Sequence, residues 1–522
     1  MVSVKFKNED ITIEVEKGTK LSECIRIANL SIETPCNCMG LCNKCKVKVI
    51  GEVSPPSVAE QNFILEEENI RLACITEVKG DVEVELINTS KELKTINSGH
   101  SIEVEVDNNI LDLASETTDI LGVAIDIGTT GLSAYLVDLH SGKILNKIST
   151  LNPQTEFGSD VLSRIAFAIN NERGTEILRD SIVNEVNNMV KKLVSNNYEV
   201  ENIYRIMIAA NTTMLHFFAA VNPSSIARAP YKATFLNKMD LASSEIGISI
   251  NKEGIITLLP SASAYVGADI LAGIVATDFY RKKNSSIFID IGTNGEIVAI
   301  SEGKMAATST AAGPALEGMN ISCGSRAEEG AIDSFSIDEE YNVSFTTIGN
   351  SKAKGICGSA LIDIAAHMVE KEIILKSGRF NKNLNDKISD KVRDKKFYIT
   401  EDIYISQKDI RQIQLAKGAI AAGMSMLLKE INIALEMVEE VVIAGAFGYH
   451  INAESIKTIG LIPKGFKGEI TFVGNSSIEG ARLALINKGI LETIISFEDK
   501  IEVVELSTKD TFQDYFVEAL SF

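Results

Sequence analysis

The sequence lacks any long run of lysine or arginine among its 522 residues. It contains 51 basic and 71 acidic side chains, which give a formal net charge of −20 at pH 7. Nucleic-acid binding depends on cationic side chains that neutralise phosphates, so we expect no nucleic-acid partner. Apolar residues make up 45% of the chain and charged residues 23%, a balance that excludes a disordered or collagen-like protein.

The sequence also lacks an apolar segment suited to crossing a membrane. Residues 206–221 are interrupted by polar side chains, and residues 418–428 are too few to span a bilayer. The N-terminal residues, MVSVKFKNED, do not contain the apolar core of a signal peptide. We therefore expect a cytoplasmic protein with no membrane partner, in which clustered cysteines are metal ligands rather than disulfides.

Cysteine is scarce over most of the chain and concentrated near the N-terminus. Six of the eight cysteines lie within residues 24–74, and only Cys323 and Cys357 lie beyond them. This asymmetry predicts a small metal-binding module joined to a much larger module whose cysteines have no metal role.

Residues 1–87 have the pattern of an α+β, β-grasp ferredoxin domain. Residues 2–7 and 11–16 alternate apolar and polar side chains around the turn Asn8-Glu9-Asp10, which predicts a β-hairpin. Helical spacing and further alternation predict a helix at 19–29 and strands at 45–50 and 81–87.

One loop and one distant cysteine supply four candidate ligands for an iron–sulfur cluster. Cys36, Cys42 and Cys45 form the pattern C-x5-C-x2-C, and Cys74 follows in the sequence Arg-Leu-Ala-Cys. Four thiolates hold a [2Fe–2S] cluster, and the layout is that of plant-type ferredoxins with a first gap one residue longer. The alternative is a structural zinc site, although such sites usually use two C-x2-C pairs. Cys38, in the same loop, is either a substitute for Cys36 or a spectator.

Residues 88–121 are rich in Ser, Thr, Asn and acidic residues and lose the apolar periodicity. We interpret them as a linker that tethers the N-terminal module, with one strand expected at 101–106. Residues 122–522 then form the large module, with lobes at 122–285 and 286–522.

Two segments of the large module resemble each other. Residues 123–131 are VAIDIGTTG and residues 287–295 are IFIDIGTNG, with six of nine positions identical. Each segment follows an apolar strand and leads into another, which predicts a β-hairpin with a glycine-rich turn. Glycine lets backbone N–H groups approach phosphate oxygens, and threonine adds a hydroxyl donor. Two such hairpins would clamp one polyphosphate across a cleft, with Gly128, Thr129, Thr130, Gly292, Thr293 and Asn294 as binding residues.

Three aspartates are the predicted catalytic residues of this cleft. Asp126 and Asp290, one in each hairpin, would hold Mg²⁺ through water or orient the attacking water. Asp269 either positions water or Mg²⁺ as well, or is the N-cap of the helix that follows it. Residues 209–213 are expected to line the cleft, and residues 310–318 and 355–360 either touch nucleotide or a partner or only pack closely.

A third glycine-rich segment, residues 441–448, completes the predicted nucleotide site. A buried strand leads into Gly445, Ala446 and Gly448, and residues 474–477 then open a helix whose N-terminus suits polar ligand atoms. This arrangement resembles the adenosine motif of the actin, sugar-kinase and heat-shock-protein ATPase superfamily. The resemblance implies a duplicated α/β ATPase fold that binds ATP with Mg²⁺. It is not a Walker-type ATPase, because no G-x-x-x-x-G-K-[ST] motif is present.

The whole chain resembles the reductive activators of corrinoid proteins. The matching motifs run from about residue 35 to about residue 480 and comprise P-C-x5-C-x2-C, R-L-A-C, DIGTTG, NTTMLH, DIGTNGE, AGPALEGMNISCG, GICGSALID and AGAFG. The resemblance implies ATP-dependent, one-electron reduction of an inactive Co(II) corrinoid to the Co(I) form used in methyl transfer. It also implies a corrinoid protein of a methyltransferase system as partner, an unidentified low-potential electron donor, and a homodimer. No cysteine follows Cys357, so the C-terminal [4Fe–4S] centres of some relatives are not expected.

Other functions fit parts of the pattern. A small-molecule kinase with an accessory redox module would transfer phosphate to a free substrate and need no reductant. An ATP-dependent activator of a non-corrinoid enzyme usually holds a [4Fe–4S] cluster within the ATPase fold, whereas the candidate ligands here lie in a separate module. A scaffold with a degenerate ATPase is disfavoured because Asp126 and Asp290 are both present.

Overall fold

A computed structural model of the chain describes residues 1–28, 30, 32, 40, 45–57, 60, 69–87, 99–107, 119–195, 197–445, 451–497, 500–506, 509 and 511–522. The chain forms two compact units, Met1–Glu92 with Leu151–Ile182 and Leu93–Thr150 with Val183–Phe522. No helix among the described residues is both long and apolar enough to cross a bilayer.

The first unit contains a five-stranded sheet and one helix in its N-terminal part. These elements are β1 (Val2–Phe6), β2 (Ile11–Val15), α1 (Leu21–Ile27), β3 (Lys46–Val53), β4 (Ile70–Leu72) and β5 (Val78–Leu86). The strand order is β2-β1-β5-β3-β4, with β1 parallel to β5 and the other neighbours antiparallel. Alternate apolar side chains of the strands pack with Leu21, Cys24 and Ile25 of the helix in one core. The predicted hairpin and the β-grasp topology are confirmed, and β4 is an additional strand that the alternation did not predict.

A buried ion pair fixes the segment that carries Cys74. Glu60 is fully buried and accepts hydrogen bonds from Arg71 Nε at 3.0 Å and Nη2 at 3.2 Å. The same carboxylate accepts from Leu72 N at 2.9 Å and from Thr76 Oγ1 at 3.2 Å. Burial raises the pKa of Glu60, but the hydrogen bonds from Arg71 and the backbone outweigh it and hold the pKa below its usual value. One carboxylate therefore holds the chain on both sides of Cys74.

The other part of the first unit, residues 151–182, is mainly helical. Asp160 caps α2 (Val161–Asn170) in a reciprocal capping box with Ser163. Helix α3 (Gly174–Val194) begins in this unit and ends in the second.

The second unit is built on two six-stranded sheets. The first comprises β6 (Leu121–Ile127), β7 (Gly131–Asp138), β8 (Ile144–Leu151), β9 (Ile203–Ala210), β10 (Met239–Ala242) and β11 (Ile255–Leu258). The second comprises β12 (Ser286–Ile291), β13 (Gly295–Ser301), β14 (Lys304–Thr310), β21 (Glu440–Ala444), β22 (Glu469–Gly474) and β23 (Ile501–Val503). Shorter strands are β15 (Ala331–Ile337), β16 (Val343–Thr347), β17 (Gly355–Ile356), β18 (Val392–Arg393), β19 (Lys396–Tyr398) and β20 (Tyr404–Ser406).

The two large sheets share one central topology. Their orders are β10-β11-β9-β6-β7-β8 and β22-β21-β12-β13-β14-β23. In each sheet three consecutive strands are neighbours, and two parallel strands lie on the other side of the first of them. The central strands β6 and β12 are almost entirely apolar and buried, as expected for strands covered on both faces. The predicted duplicated α/β fold is confirmed.

The helices of the second unit surround these sheets. They are α4 (Thr212–Phe218), α5 (Ser243–Ile246), α6 (Ala268–Ala276), α7 (Gly358–Glu370), α8 (Asp386–Ser389), α9 (Gln407–Glu430), α10 (Ala453–Ile459), α11 (Ser476–Ile486), α12 (Lys488–Ile495) and α13 (Phe512–Ala519).

Residues 99–107, which we call the strap, lie along the second unit. The strand expected at 101–106 is not present, and Gly99 instead forms a single antiparallel bridge with Gly474. The apolar alternation of residues 101–106 is present, but the N–H groups of His100, Ile102 and Asp107 bond to three different elements rather than to one neighbouring strand.

Replacing Glu60 with alanine is expected to lower the free energy of opening of the first unit by about 3–5 kcal/mol, because the Arg71 guanidinium is left buried without its partner. Hydrogen exchange of the β5 amides in the full chain measures this free energy. The control is Glu83→Ala, which removes an exposed carboxylate 3.8 Å from Lys7 and should cost less than about 1 kcal/mol. Equal exchange rates in the two variants would contradict the assigned role of Glu60.

Candidate functional site

Each predicted hairpin turn is present, but the two turns differ by one residue. In the first, Ile127 pairs with Leu132, and Gly128 N donates to Gly131 O at 2.9 Å. In the second, Ile291 pairs with Gly295, so that turn is one residue shorter. Similar sequences therefore produce different registers, and the difference decides which side chain lies opposite each aspartate.

Both hairpins line one cavity of about 440 Å³ within the second unit. Ten of the predicted site residues lie in its wall: Asp126, Gly128, Thr129, Thr130, Asp269, Asp290, Gly292, Thr293, Asn294 and Gly445. Ala446 and Gly448, predicted to contact adenosine, lie outside the described residues.

The N-terminus of α11 holds Asp126. Asn475 Nδ2 and Ser477 Oγ each donate a hydrogen bond of 2.8 Å, one to each carboxylate oxygen. Asn475 is also the N-cap of α11, because its Oδ1 accepts from Ile478 N at 3.1 Å. Desolvation raises the pKa of Asp126, although these two hydrogen bonds oppose the shift.

Asp269 and Asp290 are both desolvated, and both lie near other carboxylates. Desolvation and the nearby charge of Asp126 raise the pKa of Asp269 to about 7. Desolvation followed by the charges of Asp269, Asp126 and Glu317 raises the pKa of Asp290 to about 8. The interpretation of Asp269 as an N-cap is wrong, because Gly267 is the N-cap of α6 and Asp269 lies in its first turn.

Glu296 is a site residue that the sequence reasoning missed. It pairs directly with Asp290 across β12 and β13, so both side chains lie on one face of the sheet. Desolvation, then the charges of Asp269 and Asp290, raise the pKa of Glu296 well above its usual value. Its place opposite Asp290 depends on the register of the shorter turn, which the sequence does not reveal. In the first hairpin the residue opposite Asp126 is Ser133.

Glu317 joins the two hairpins. Its Oε2 accepts from Thr130 Oγ1 at 3.0 Å and from Thr293 Oγ1 at 3.4 Å, and the two threonine hydroxyls are 3.3 Å apart. Desolvation raises the pKa of Glu317, while these hydrogen bonds and the nearby charge of Arg326 lower it. The hydroxyls predicted to meet phosphate are therefore directed at a carboxylate in this structure.

Asp126, Asp269, Asp290, Glu296 and Glu317 form what we call the carboxylate cluster. Glu296 is buried, and the others are partly open to the cavity. No three of these or other described Asp, Glu, His or Cys side chains are arranged to bind one metal ion directly. A cation in this cavity would therefore be held largely through water or through a bound ligand, as Mg²⁺ commonly is.

Three segments left open by the sequence contribute to the cavity wall. Asn211 Nδ2 donates to Thr129 Oγ1 at 3.1 Å and its Oδ1 caps α4. Glu317 comes from the segment 310–318, and Cys357, Gly358 and Ser359 come from 355–360. Arg326, which no sequence pattern indicated, also lines the cavity.

Gly445 follows β21 in a conformation with φ of +127°. A Cβ atom there would lie 2.4 Å from Ile291 O, so only glycine fits this approach to the second hairpin.

Two of the four candidate cluster ligands lie in the described part of the first unit. Cys45 and Cys74 are buried, 1% and 0% exposed, and neither is in a disulfide. Ala73 N donates to Cys45 O at 2.9 Å, and Lys46 pairs with Leu72, so the two cysteines flank one antiparallel pair of strand ends. Cys36, Cys38 and Cys42 lie outside the described residues. Two buried cysteines on neighbouring backbone segments fit half of a four-thiolate cluster site.

Three models of known domain families match the chain. Residues 4–79 match the 2Fe-2S iron-sulfur cluster binding domain. Residues 121–282 match the RACo middle region, and residues 284–522 match the C-terminal domain of RACo, described as the ASKHA domain.

Relatives cover most of the chain. The corrinoid activation enzyme RamQ of Eubacterium limosum is 32% identical over 443 residues, which cover 81% of this chain and 73% of that protein. The Co(II) methylated amine-specific corrinoid protein reductase of Methanosarcina barkeri is 27% identical over 434 residues, covering 77% of each chain. A solved structure described as a reductive activator for corrinoid, iron-sulfur protein is 29% identical with a TM-score of 0.73, covering 100% of this chain and 98% of that one. The chain therefore belongs to the family of reductive activators of corrinoid proteins, in which a 2Fe-2S domain is joined to an ASKHA-type domain.

Proposed function

We propose that the chain couples ATP hydrolysis to the transfer of one electron onto the Co(II) of a corrinoid protein, giving the Co(I) form used in methyl transfer. ATP and water give ADP and phosphate, and the electron comes from an external low-potential donor. The observation that carries the proposal is the presence in one chain of a cavity between two aspartate-bearing hairpins and a separate domain with paired buried thiols.

The cavity suits a polyphosphate. The backbone of the two glycine turns would meet phosphate oxygens, and Gly445, which also lines the cavity, would lie beside the nucleoside. Asp290 and Asp269 would hold Mg²⁺ through water, and Asp126 would orient the attacking water. Loss of protons from the carboxylate cluster would accompany cation binding, because the raised pKa values of Asp269 and Asp290 mean that both bind protons without a cation.

Glu317 offers a physical basis for two states of the cleft. Without phosphate it accepts hydrogen bonds from the hydroxyls of Thr130 and Thr293. Phosphate oxygens between the hairpins would compete for those same hydroxyls, leaving Arg326 to balance Glu317. A ligand that binds one arrangement more tightly shifts the population toward it, which is how nucleotide can drive an unfavourable electron transfer.

Cys45 and Cys74, with Cys36 and Cys42, would hold a [2Fe–2S] cluster. A plant-type cluster carries one electron at a time, at a reduction potential of about −400 mV. The Glu60–Arg71 pair holds the segment that carries Cys74, and Ala73 N joins that segment to Cys45 O.

The family resemblance also predicts a homodimer, and the sequence predicts a cytoplasmic location.

The first test mixes the reduced protein with a Co(II) corrinoid protein of a methyltransferase system and follows the visible spectrum. We expect the Co(I) band to appear with MgATP and not with the non-hydrolysable analogue AMPPNP. Absence of the band with every methyltransferase corrinoid protein tried, or phosphate transfer to a small substrate without any reductant, would sink the proposal.

Single substitutions should remove electron transfer and ATP turnover independently of each other. Cys74→Ala is expected to abolish the cluster absorption and Co(I) formation while ATP turnover continues. Asp290→Asn is expected to keep the cluster absorption and to lose ATP turnover by about 100-fold or more, the scale of an electrostatic group acting on developing charge. A normal ATP turnover rate in Asp290→Asn would remove Asp290 from the reaction.

Asp290→Asn should also stabilise the cation-free protein in a pH-dependent way. The pKa of Asp290 is 3.8 in its ordinary state and about 8 in the fold, so the folded chain retains a proton that the unfolded chain has lost. Stability of the wild type therefore falls as pH rises from 3.8 to about 8, and asparagine removes that loss. With EDTA present, the Tm advantage of the variant should be larger at pH 8 than at pH 5. Glu340→Gln, an exposed control, should show no such trend, and a trend of the same size in both variants would refute the explanation.

A further inference from the structure

Helix α11 connects the carboxylate cluster to the strap. Its first turn holds both oxygens of Asp126 through Asn475 and Ser477. One turn later, Glu479 faces the strap, where its Oε2 accepts from Ser101 Oγ at 3.2 Å. One short helix therefore contacts a predicted catalytic carboxylate and the segment that leads toward the first unit.

Glu479 is a buried junction of three elements, only 4% exposed. Its carboxylate pairs with Arg482 Nε at 2.9 Å and accepts from Tyr135 Oη at 3.1 Å, so it also contacts β7 of the first hairpin. Arg482 Nη2 in turn donates to Ser101 Oγ at 3.0 Å. A buried charge with this many partners resists displacement of any one of them alone.

Gly99, the first residue of the strap, packs directly against Asn475, the N-cap of α11. A Cβ atom on Gly99 would lie 2.4 Å from Asn475 O, the carbonyl of the residue that holds Asp126. Four backbone contacts then anchor the strap to neighbouring elements: His100 N to Val473 O at 2.7 Å, Ile102 N to Ala276 O at 2.9 Å, Asp107 N to Ile486 O at 2.9 Å, and Asn487 Nδ2 to Glu105 O at 2.9 Å.

Helices α6 and α11 are packed so closely that they are expected to move together. A Cβ atom on Gly480 would lie 2.2 Å from Ala272 O, and one on Gly273 would lie 2.7 Å from Ser476 Oγ. Helix α6 carries Asp269, and its last residue, Ala276, binds the strap. Both helices therefore join the carboxylate cluster to the strap.

We propose that Glu479 is a positioning residue that, together with the strap, transmits the state of the carboxylate cluster to the chain segment leading to the N-terminal domain. The inference rests on the proposed function, since it requires a nucleotide in the cavity. A cation or phosphate that draws on Asp126 weakens its bonds to Asn475 and Ser477. The start of α11 then shifts, and the strap loses part of its support.

The direct test is hydrogen exchange of the full chain with and without Mg-AMPPNP. In the wild type we expect slower exchange at residues 126–133, where nucleotide binds, and faster exchange at the strap. Glu479→Gln removes the charge that pairs with Arg482, so its strap should exchange faster even without nucleotide, and nucleotide should add no further change.

Activity measurements separate transmission from folding. In Glu479→Gln the ATP stimulation of Co(I) formation should fall by about 5- to 150-fold, the range of ordinary allosteric coupling, while ATP turnover and cluster absorption stay at wild-type values. Gly99→Ala, which presses a methyl group against Asn475, should have the same effect. The matched control is Glu440→Gln, which removes the charge of another ion-paired glutamate, bound to Lys282 and Thr471, and should keep full stimulation.

Two results would overturn the proposal while leaving the proposed function intact. One is strap exchange that does not respond to nucleotide although residues 126–133 become protected. The other is full ATP stimulation in both Glu479→Gln and Gly99→Ala. If the wild type shows no protection at 126–133, the proposed function fails, and this inference fails with it.

Discussion

The gathering of five carboxylates around one cavity is the constraint on which the second unit depends. The two central strands β6 and β12 each carry an aspartate as the penultimate residue, and the duplicated topology brings both to the same cavity. Among the described lining residues Arg326 alone is cationic, so the negative charge is balanced mainly by hydrogen bonds and bound protons. The carboxylate cluster binds protons when no cation is present. A cation that arrives with a ligand would therefore replace these protons at a site that already exists. The cavity is therefore prepared for a charged ligand before one binds.

The same constraint bears on the contact that Glu317 makes between the two hairpins. Glu317 lies where a phosphate would be attracted to the turns, and it uses the donors that a phosphate would use. A hydrogen bond to a charged group contributes about 1.5–3 kcal/mol, and a phosphate oxygen would offer each threonine hydroxyl an acceptor of similar strength. Ligand binding can therefore exchange these partners at low cost. Such an exchange alters the relation between the two hairpins without disturbing the sheets behind them.

The elements that follow from local patterns were predictable from the sequence, and those that depend on register or on backbone contacts were not. The N-terminal hairpin and the two glycine turns follow from alternation and from repeated motifs, and both are present. Glu296 escaped because the second turn is one residue shorter than the first, a difference that two nearly identical sequences conceal. Arg326 escaped because an isolated arginine in a loop has no periodicity. The strap does not form the expected strand because the N–H groups of His100, Ile102 and Asp107 bond to three different elements, which the alternating side-chain pattern does not reveal.

These backbone anchors also bear on how two chemically separate modules can act together. Electron transfer and ATP hydrolysis share no atoms, so nucleotide can influence the electron only through a structure that has different stability in two states. Helix α11 is placed for that role, since Asn475 at its N-cap holds Asp126 and, one turn later, Glu479 holds the strap. A connection of this kind depends on helix position rather than on the identity of the linker side chains. Gly99 is part of this connection, because any larger residue there displaces the carbonyl of Asn475.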